Sequence, residues 1–433
     1  MSERIIKSES ATDGNIIIVR GGTPLYGEID ISPSKNAILP IIAATLLAEG
    51  DTCIPQVPDL SDVRLMCEVI SHLGGEVNRR GYGVVFNNDE IDQYEPPYEL
   101  VRKMRASILV MGPLLARWGR VTISMPGGCA IGTRPIDFHL KGLAAMGASI
   151  NLSGGKIEAR APGLNGAAIY LDFPSVGATE NIMMAAALAR GMTVIENAAL
   201  EPEIQALAEF INAMGGKVRG AGTSLIKIEG VRQLKGTTHA IIPDRIEAGT
   251  YMVAAAAAGG EVIINQVIPE HLKAVTAKLR ETGIEIDDSI PRRIHIIARG
   301  EQPKPIYLKT MPYPGFSTDM QPQFTALLAT AQGTSLVNES IFDNRFLHVR
   351  ELARMGANIR VENRTAVIHG VKSLTGAQVA ATDLRAGAAL VIAALGTSGK
   401  TIISGCEHID RGYENLIGKL ISLGASMERY NTT

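Results

Sequence analysis

Cysteine and aromatic residues are scarce in this chain. Its 433 residues include four cysteines (Cys53, Cys67, Cys129 and Cys406), and only 4% are aromatic. No two cysteines form a Cys-x-x-Cys pair, and none has a histidine neighbour at the spacing of a zinc site. The sequence therefore indicates no metal centre. With so few aromatic residues, alanine and glycine must supply much of the interior, which permits close helix packing.

Long apolar runs and an excess of charge are also lacking. The longest apolar stretch, Tyr251 to Ala258, is far below the roughly 20 residues that cross a membrane. The first fifteen residues are polar and lack the apolar core of a secretory signal. Lys and Arg total 42 against 44 Asp and Glu, which argues against nucleic-acid or membrane binding. We expect a cytoplasmic protein that holds any anionic ligand with local clusters of cations.

An internal repeat organises the chain. Six helical runs end at a glycine followed by a strand, and these glycines lie 73, 68, 68, 73 and 68 residues apart; they are Gly74, Gly147, Gly215, Gly283, Gly356 and Gly424. The first three recur 209 residues later as the last three. This pattern predicts two copies of a three-unit domain, with chemistry in the cleft between them. Each unit reads strand, Ala-rich helix, short strand, helix, hairpin, and the helices are too apolar to face water.

The domain boundaries are predicted from equivalent repeat positions. The chain is expected to cross between domains near Pro33-Ser34 and Ile242-Pro243, which would make two crossing strands that act as a hinge. One domain would then comprise residues 1–33 and 243–433, including both termini. Residues 34–242 would form the second domain, and the first strand of the chain could pair with the C-terminal half. Within the first unit, Ser61 is a plausible N-cap of a helix over 61–73.

A loop with unusual chemistry interrupts the second unit. Met125 to Pro135 contains three glycines, two prolines and Cys129, followed five residues later by Arg134. A cysteine in such a segment can be a stabilised thiolate or a poised proton donor. The alternative is an inert small residue, but the loop context favours the reactive interpretation.

Cations stand where apolar patterns break and helices are expected to begin: Lys35, Arg105, Arg134, Arg385 and Arg411. One such cation would be an ordinary surface residue, whereas five at the edges of repeats favour a site for phosphate and carboxylate groups. Asp319 follows a Pro-Gly turn and is either a general base or, like Thr318, an N-cap. His139 and His348 lie on apolar helices and are interpreted as structural.

These segments resemble the enolpyruvyl transferase family, in particular its members that act on UDP-N-acetylglucosamine. The resemblance runs from Gly21 to Glu428 and rests on Ser34-Lys35-Asn36, Met104 to Ser107, Pro126 to Pro135, Ser175 to Thr179, Pro243 to Glu247, Gly315 to Gln321, Asn344 to Phe346, Asp383 to Arg385 and Asp410 to Glu414. One departure is Ser32-Pro33-Ser34-Lys35, where the family usually has Ser-Gly-Ala-Lys. Pro33 restricts the backbone just before the lysine.

The resemblance implies an α/β fold of two similar domains. Each would contain three βαβαββ units around a pseudo-threefold axis with the helices inside, an inside-out α/β barrel, and the Cys129 loop would be the lid of the cleft. The implied reaction transfers the enolpyruvyl group of phosphoenolpyruvate to the 3′-hydroxyl of UDP-N-acetylglucosamine and releases phosphate. This addition–elimination is the first committed step of peptidoglycan synthesis and a target of fosfomycin. The resemblance implies no metal and no organic cofactor, and we expect a monomer.

Site roles also follow from the resemblance. Asp319 would take the hydroxyl proton, and Cys129 would protonate the methylene carbon of phosphoenolpyruvate. Lys35, Arg134 and Arg411 would hold the phosphate and pyruvyl groups, and Arg385 with Arg345 would bind the carboxylate. The other expected substrate-binding residues are Asn36, Arg105, Pro135, Ile136, Asp137, Phe138, Phe173, Pro174, Ser175, Val176, Ile341 and Phe342, with Phe342 against the uracil.

Two alternatives stay open. The nearest is the sister enolpyruvyl transferase that acts on shikimate 3-phosphate, which shares the fold but lacks a cysteine loop of this type. The other is a non-catalytic sugar-nucleotide binder that keeps the scaffold. The joint presence of Asp319, Cys129 and the arginines argues against a binder.

Overall fold

The structure, a computed structural model, describes residues 15–125 and 136–430. The strands in these ranges are β1 (Ile16–Gly21), β2 (Leu25–Asp30), β3 (Ala48–Glu49), β4 (Thr52–Ile54), β5 (Glu76–Arg80), β6 (Gly83–Asn87), β7 (Arg120–Ser124), β8 (Ser149–Ser153), β9 (Lys156–Arg160), β10 (Ala168–Tyr170), β11 (Met192–Glu196), β12 (Val218–Arg219), β13 (Leu225–Glu229), β14 (Leu234–Lys235), β15 (Gly260–Asn265), β16 (Glu285–Asp287), β17 (Arg293–Ala298), β18 (Tyr307–Lys309), β19 (Thr334–Asn338), β20 (Asn358–Glu362), β21 (Thr365–His369), β22 (Gln378–Ala380), β23 (Gly399–Ser404) and β24 (Ser426–Tyr430).

The α-helices are α1 (Lys35–Ala44), α2 (Ser61–His72), α3 (Tyr98–Val101), α4 (Met111–Trp118), α5 (Asp137–Ala145), α6 (Val176–Ala186), α7 (Pro202–Ala213), α8 (Arg245–Ala258), α9 (Lys273–Glu281), α10 (Gln321–Leu328), α11 (His348–Arg354), α12 (Leu384–Leu395) and α13 (Leu416–Ser422). Short 3₁₀ helices cover Thr45–Leu47, Arg105–Val110, Pro269–Leu272, Thr318–Met320 and Cys406–Arg411. Among the helices of the described ranges, none is long and apolar enough to span a membrane.

The predicted βαβαββ unit is confirmed. From β10 to β13 the chain runs strand, α6, strand, α7, strand, strand, and the sheet order is β10-β11-β13-β12. The first two strands are parallel, and the remaining pairs are antiparallel. The sheet β18-β19-β21-β20 repeats this order with the same directions. The parallel pair needs a crossover helix, which is why an Ala-rich helix separates its strands.

The N-terminal strands complete sheets of the C-terminal half, as the repeat pattern predicted. The strand β1 lies between β23 and β24, antiparallel to both. The strand β2 pairs in parallel with β15, with Leu25 opposite Gly260. The pairing of β14 with β3 of the first unit stays within residues 34–242. The half that contains residues 243–433 thus takes two strands from before the first crossing point.

The two crossing segments pair with each other. Pro33 and Pro243 form an antiparallel bridge, the Ser34 N–H donates to the Ile242 carbonyl at 2.8 Å, and the Asp244 N–H donates to the carbonyl of Ser32 at 2.9 Å. Proline has no N–H, so the bonds come from its neighbours. The domain boundary at these segments and the hinge role of the two strands both stay predictions.

Helices occupy the interior of both halves. The helices α1, α6, α8, α10 and α12 are buried along nearly their whole length. One hydrophobic core draws on residues from Ile38 to Leu234, and the other draws on Ile17 to Ile31 together with Ile246 to Met427. Burial of apolar surface contributes roughly 25 cal/mol per Å², so each core is a separate source of stability. These cores support the proposed division at residues 33 and 242.

Two expected helix starts differ in the structure. The helix α2 begins at Ser61, but Leu60 holds the N-cap position without a side-chain bond, and the Ser61 hydroxyl has no partner among the described residues. Arg411 closes a 3₁₀ helix and does not open the last α-helix, which starts at Leu416 and is capped by Asn415. The 3₁₀ helix ends before Gly412, where an added Cβ would lie 2.8 Å from a Leu384 methyl group.

Candidate active site

Lys35 and Arg411 converge on one buried carboxylate, Asp62. The Lys35 Nζ lies 2.8 Å from Asp62 Oδ2, and Arg411 Nε donates to Oδ1 at 2.9 Å. Lys35 opens α1 and Asp62 lies in the first turn of α2, whereas Arg411 comes from the other half of the chain. This triad therefore joins the two halves at the point where they meet.

The charges of this triad depend on one another. Burial raises the pKa of the Asp62 carboxyl, but Lys35 and Arg411 outweigh it and hold that pKa below its usual range. Burial lowers the pKa of Lys35, Asp62 opposes the shift, and the charge of Arg385 adds to it. A cation with a lowered pKa, held beside further cations, is a good receptor for an anion.

Asp319 lies between two buried arginines. Arg345 Nη2 donates to Oδ1 at 2.9 Å, and Arg385 Nη2 donates to Oδ2 at 3.0 Å. The two arginine side chains are only 3% and 2% exposed, against 24% for the aspartate. Asn36 Nδ2 reaches Oδ2 at 3.5 Å from the other half. The carboxylate is therefore the accessible member of a buried ionic cluster.

Both arginines keep further donors for a ligand. Nε and Nη1 of Arg345, and the same atoms of Arg385, are buried and have no hydrogen-bond partner among the described residues. A buried guanidinium N–H without an acceptor is costly, so such donors usually face a ligand or ordered water. The Arg385 guanidinium also lies 5.2 Å from the ring centroid of Tyr413, which fixes its plane. The pair can hold a carboxylate.

The N-cap interpretation of Thr318 and Asp319 is wrong. Ser317 occupies the N-cap position of the 3₁₀ helix, and its Oγ accepts from the Asp319 N–H at 3.2 Å. Thr318 instead donates to Glu339 at 2.9 Å. Because a serine supplies the cap, the Asp319 carboxylate is available for the arginines.

The other expected substrate residues line two further segments. Phe173 is 39% exposed, Ser175 caps α6 by accepting from the Ala178 N–H at 3.4 Å, and Phe342 lies 5.4 Å from the Arg345 guanidinium. The remaining expected residues are Ile136, Asp137 and Phe138 at the start of α5, Pro174 and Val176 around the α6 cap, Arg105 at the start of a 3₁₀ helix, and Ile341 after β19. Cys129, Arg134 and Pro135 lie outside the described residues.

Several charged residues of the cleft were not anticipated. Asp62 looks like an ordinary acidic residue in a first helical turn, and its role is visible only once Lys35 and Arg411 surround it. Arg245 forms a bidentate pair with Glu203 at 3.0 and 3.2 Å across the two halves. Asp244 caps α8 through Oδ1 and accepts from the Lys35 N–H through Oδ2 at 3.0 Å. The described residues contain no group of three or more His, Cys, Asp or Glu side chains placed to bind a metal.

Known proteins are similar to this chain along nearly its whole length. The family model described as EPSP synthase (3-phosphoshikimate 1-carboxyvinyltransferase) matches residues 19–420. A UDP-N-acetylglucosamine 1-carboxyvinyltransferase 2 from Carboxydothermus hydrogenoformans is 56% identical over 95% of this chain and 98% of its own. A UDP-N-acetylglucosamine 1-carboxyvinyltransferase 1 from Caldanaerobacter subterraneus is 54% identical over 95% and 99%.

Solved structures show the same fold at low identity. The enolpyruvyl transferase NikO from Streptomyces tendae has a TM-score of 0.87 at 23% identity and covers 97% of this chain and 99% of its own. An EPSP synthase from Acinetobacter baumannii has a TM-score of 0.74 at 20% identity over 96% and 100%. The fold is thus the two-domain α/β architecture of these proteins. Because its named relatives are 54–56% identical over 95% of its length, the chain belongs to the enolpyruvyl transferases and, among them, to the UDP-N-acetylglucosamine 1-carboxyvinyltransferase family.

Proposed function

We propose that this transferase moves the enolpyruvyl group of phosphoenolpyruvate to the 3′-hydroxyl of UDP-N-acetylglucosamine and releases phosphate, as the first committed step of peptidoglycan synthesis. The observation that carries the proposal is the Asp319 carboxylate held between two buried arginines, each of which has Nε and Nη1 without a hydrogen-bond partner among the described residues. The names of relatives at 54–56% identity support the same substrate pair.

The proposed reaction has two stages. In the addition, the sugar oxygen bonds to C2 of phosphoenolpyruvate, its proton passes to Asp319, and Cys129 gives a proton to C3. In the elimination, the bond from C2 to the phosphate oxygen breaks and C3 returns a proton to the Cys129 thiolate. The proton on Asp319 leaves with phosphate, so both residues regain their starting states. General acid–base catalysis of this kind contributes typically 10²–10⁴-fold.

The cations of the cleft serve the anionic substrate in this scheme. Lys35 and Arg411, with Arg134 of the undescribed segment, would bind the phosphate, and Arg385 with Arg345 would bind the carboxylate. Both Asp319 oxygens accept hydrogen bonds from these arginines. A substrate carboxylate that competes for the same guanidinium groups would weaken those bonds and make Asp319 a stronger base. Preorganised cations of this kind stabilise developing charge without reorganisation.

The test is phosphate release from phosphoenolpyruvate with either UDP-N-acetylglucosamine or shikimate 3-phosphate as acceptor. Release with the sugar nucleotide alone would support the proposal. Release with shikimate 3-phosphate alone would favour the activity in the description of the family model, although the solved EPSP synthases are only 19–20% identical. Binding of the sugar nucleotide without release would favour the non-catalytic binder.

The remaining expectations belong to the same proposal. We infer a cytoplasmic monomer whose two halves close on substrate about the crossing strands, with the Cys129 loop as the lid. The Arg245–Glu203 pair, with side chains 11% and 3% exposed, and the Asp62 triad connect the halves. Scattering curves with and without UDP-N-acetylglucosamine would reveal closure as a smaller radius of gyration, and the molar mass would reveal a dimer.

A further inference from the structure

A second buried carboxylate, Glu339, lies immediately behind the site. It follows β19 and is 1% exposed. Its Oε1 accepts from Thr310 Oγ1 at 2.9 Å, the Ile341 N–H at 2.8 Å and the Phe342 N–H at 3.1 Å. Its Oε2 accepts from Thr318 Oγ1 at 2.9 Å. One side chain therefore holds four donors from three separate segments.

A buried carboxylate is stable only when its oxygens are satisfied, and hydrogen bonds to an ionised acceptor are about twice as strong as neutral ones. The four donors thus have little freedom to move relative to one another. Thr310 adds a second link, because its Oγ1 accepts from the Ser340 N–H at 2.8 Å and its carbonyl accepts from the Ser340 hydroxyl. The turn after β19 is consequently anchored to the strand beside it.

The segments joined by Glu339 have different roles. Thr318 directly precedes Asp319, the proposed base, while Ile341 and Phe342 belong to the expected sugar-nucleotide site. We propose that Glu339 is a positioning residue that sets the distance between the Asp319 carboxylate and the hydroxyl of the bound acceptor. This inference rests on the proposed function, since it needs a bound sugar nucleotide and a base at Asp319.

The test is the steady-state kinetics of Glu339→Gln. The amide is isosteric but uncharged, so the bonds that its oxygen accepts are weaker and the bond to Thr318 must reverse, with the amide NH2 donating to Oγ1. We expect kcat to fall by about 10- to 100-fold, because small misplacements of reacting groups have effects of that size. The KM for UDP-N-acetylglucosamine should rise by about tenfold. The KM for phosphoenolpyruvate should stay within about threefold, because the ion pairs of Lys35, Arg345, Arg385 and Arg411 in the described residues are with Asp62 and Asp319 and not with Glu339.

Thr318→Val separates the two links. It removes only the bond to Oε2, so kcat should fall while the KM for UDP-N-acetylglucosamine stays near the wild-type value. The control is Thr276→Val in the same half. Thr276 is 2% exposed, whereas Thr318 is half-buried, and the Thr276 hydroxyl donates within α9 to the Lys273 carbonyl. The control variant should keep wild-type kinetics even where its melting temperature falls.

Different outcomes would contradict the positioning role of Glu339 and the proposed function. Unchanged kcat and acceptor KM in a folded Glu339→Gln protein, with only a lower melting temperature, would overturn the proposal. If that variant does not fold, Thr318→Val decides the question, and an unchanged kcat overturns it. A wild-type protein that releases no phosphate with UDP-N-acetylglucosamine would instead refute the proposed function.

Discussion

The two halves of the chain share one fold, yet one of them supplies most of the charged groups in the described part of the cleft. Equivalent helix-ending glycines of the two halves are 209 residues apart. The residues at this distance before Asp319, Arg345 and Arg385 are Val110, Ile136 and Val176. The ionic cluster thus occupies positions that are apolar in the other copy. The repeat explains the scaffold, and departures from it indicate the site.

A pair of equivalent histidines shows the complementary case. His139 and His348 are also 209 residues apart, and burial lowers the pKa of each to about 4. His139 contacts Asn181 at 3.0 Å, but the position equivalent to that asparagine is Leu390. The Asn181 contact is made with Nδ1 of His139, whereas in His348 it is Nε2 that has no partner among the described residues. Equal burial produces equal charge states even where the partners differ.

The largest effect that would test this comparison concerns Cys129, whose equivalent position in the other half is Asn338. We expect fosfomycin to add one covalent adduct, and Cys129→Ser to lose it completely. Burial raises the pKa of both Cys67 and Cys406 to about 11, so these thiols should stay protonated and unreactive at neutral pH. Intact-mass and peptide analysis measures this, and an unmodified protein or an adduct on another cysteine would contradict it.

Asp319→Asn should fold normally and lose about 10²- to 10⁴-fold in kcat, because the amide cannot accept the hydroxyl proton. Phosphate release under saturating substrates measures the loss. Asp288→Asn, which alters a half-buried carboxylate paired with Arg280 in the same half, is the matched control and should retain wild-type turnover. A near-wild-type rate in Asp319→Asn would reject this residue as the base.

Arg385→Ala should lower kcat/KM for phosphoenolpyruvate by about 10²- to 10³-fold. The change removes a donor for the substrate carboxylate and leaves Asp319 with one buried guanidinium partner, and losses of about 2–5 kcal/mol are typical for such pairs. Arg299→Ala, at an exposed pair with Glu285, serves as the control. If saturation by phosphoenolpyruvate is unchanged in Arg385→Ala, the carboxylate binds elsewhere.

The smallest effect concerns the equivalent histidines. Burial lowers the pKa of both rings and keeps them neutral. The charge of Arg105 adds to the lowering of the His139 pKa. Near His348, Asp383 opposes the lowering and Arg345 adds to it. The unfolded chain takes up these protons near pH 6.5, so the stabilisation is present above that pH and is lost as pH falls towards 4. Each histidine then contributes a loss of about 3 kcal/mol.

Replacing either histidine by glutamine should make the free energy of unfolding less sensitive to pH between 6.5 and 4. Urea titrations of His139→Gln, His348→Gln and the wild type at both pH values would measure the difference. Identical pH dependence in all three proteins would mean that the rings are protonated in the fold.

The sequence predicts a structural feature well when the pattern that specifies it lies within a few residues. The units and their order were predictable because the glycines that end helices and the apolar periodicity act within a few residues. Lys35 and Arg385 were recognisable at helix starts for the same reason. Arg411 was misplaced, because a 3₁₀ helix broken at Gly412 looks in sequence like the beginning of the next helix.

The sequence by itself determined the duplicated βαβαββ architecture, the buried Ala-rich helices and the residue types available for acid–base chemistry, since patterning selects secondary structure and the face that is buried. Only the tertiary structure decided which charges meet. Asp62 and Arg411 are 349 residues apart, and Glu339 gathers donors from three segments. Such pairings depend on long-range packing and on the exclusion of water, and neither can be recognised from the residues adjacent in sequence.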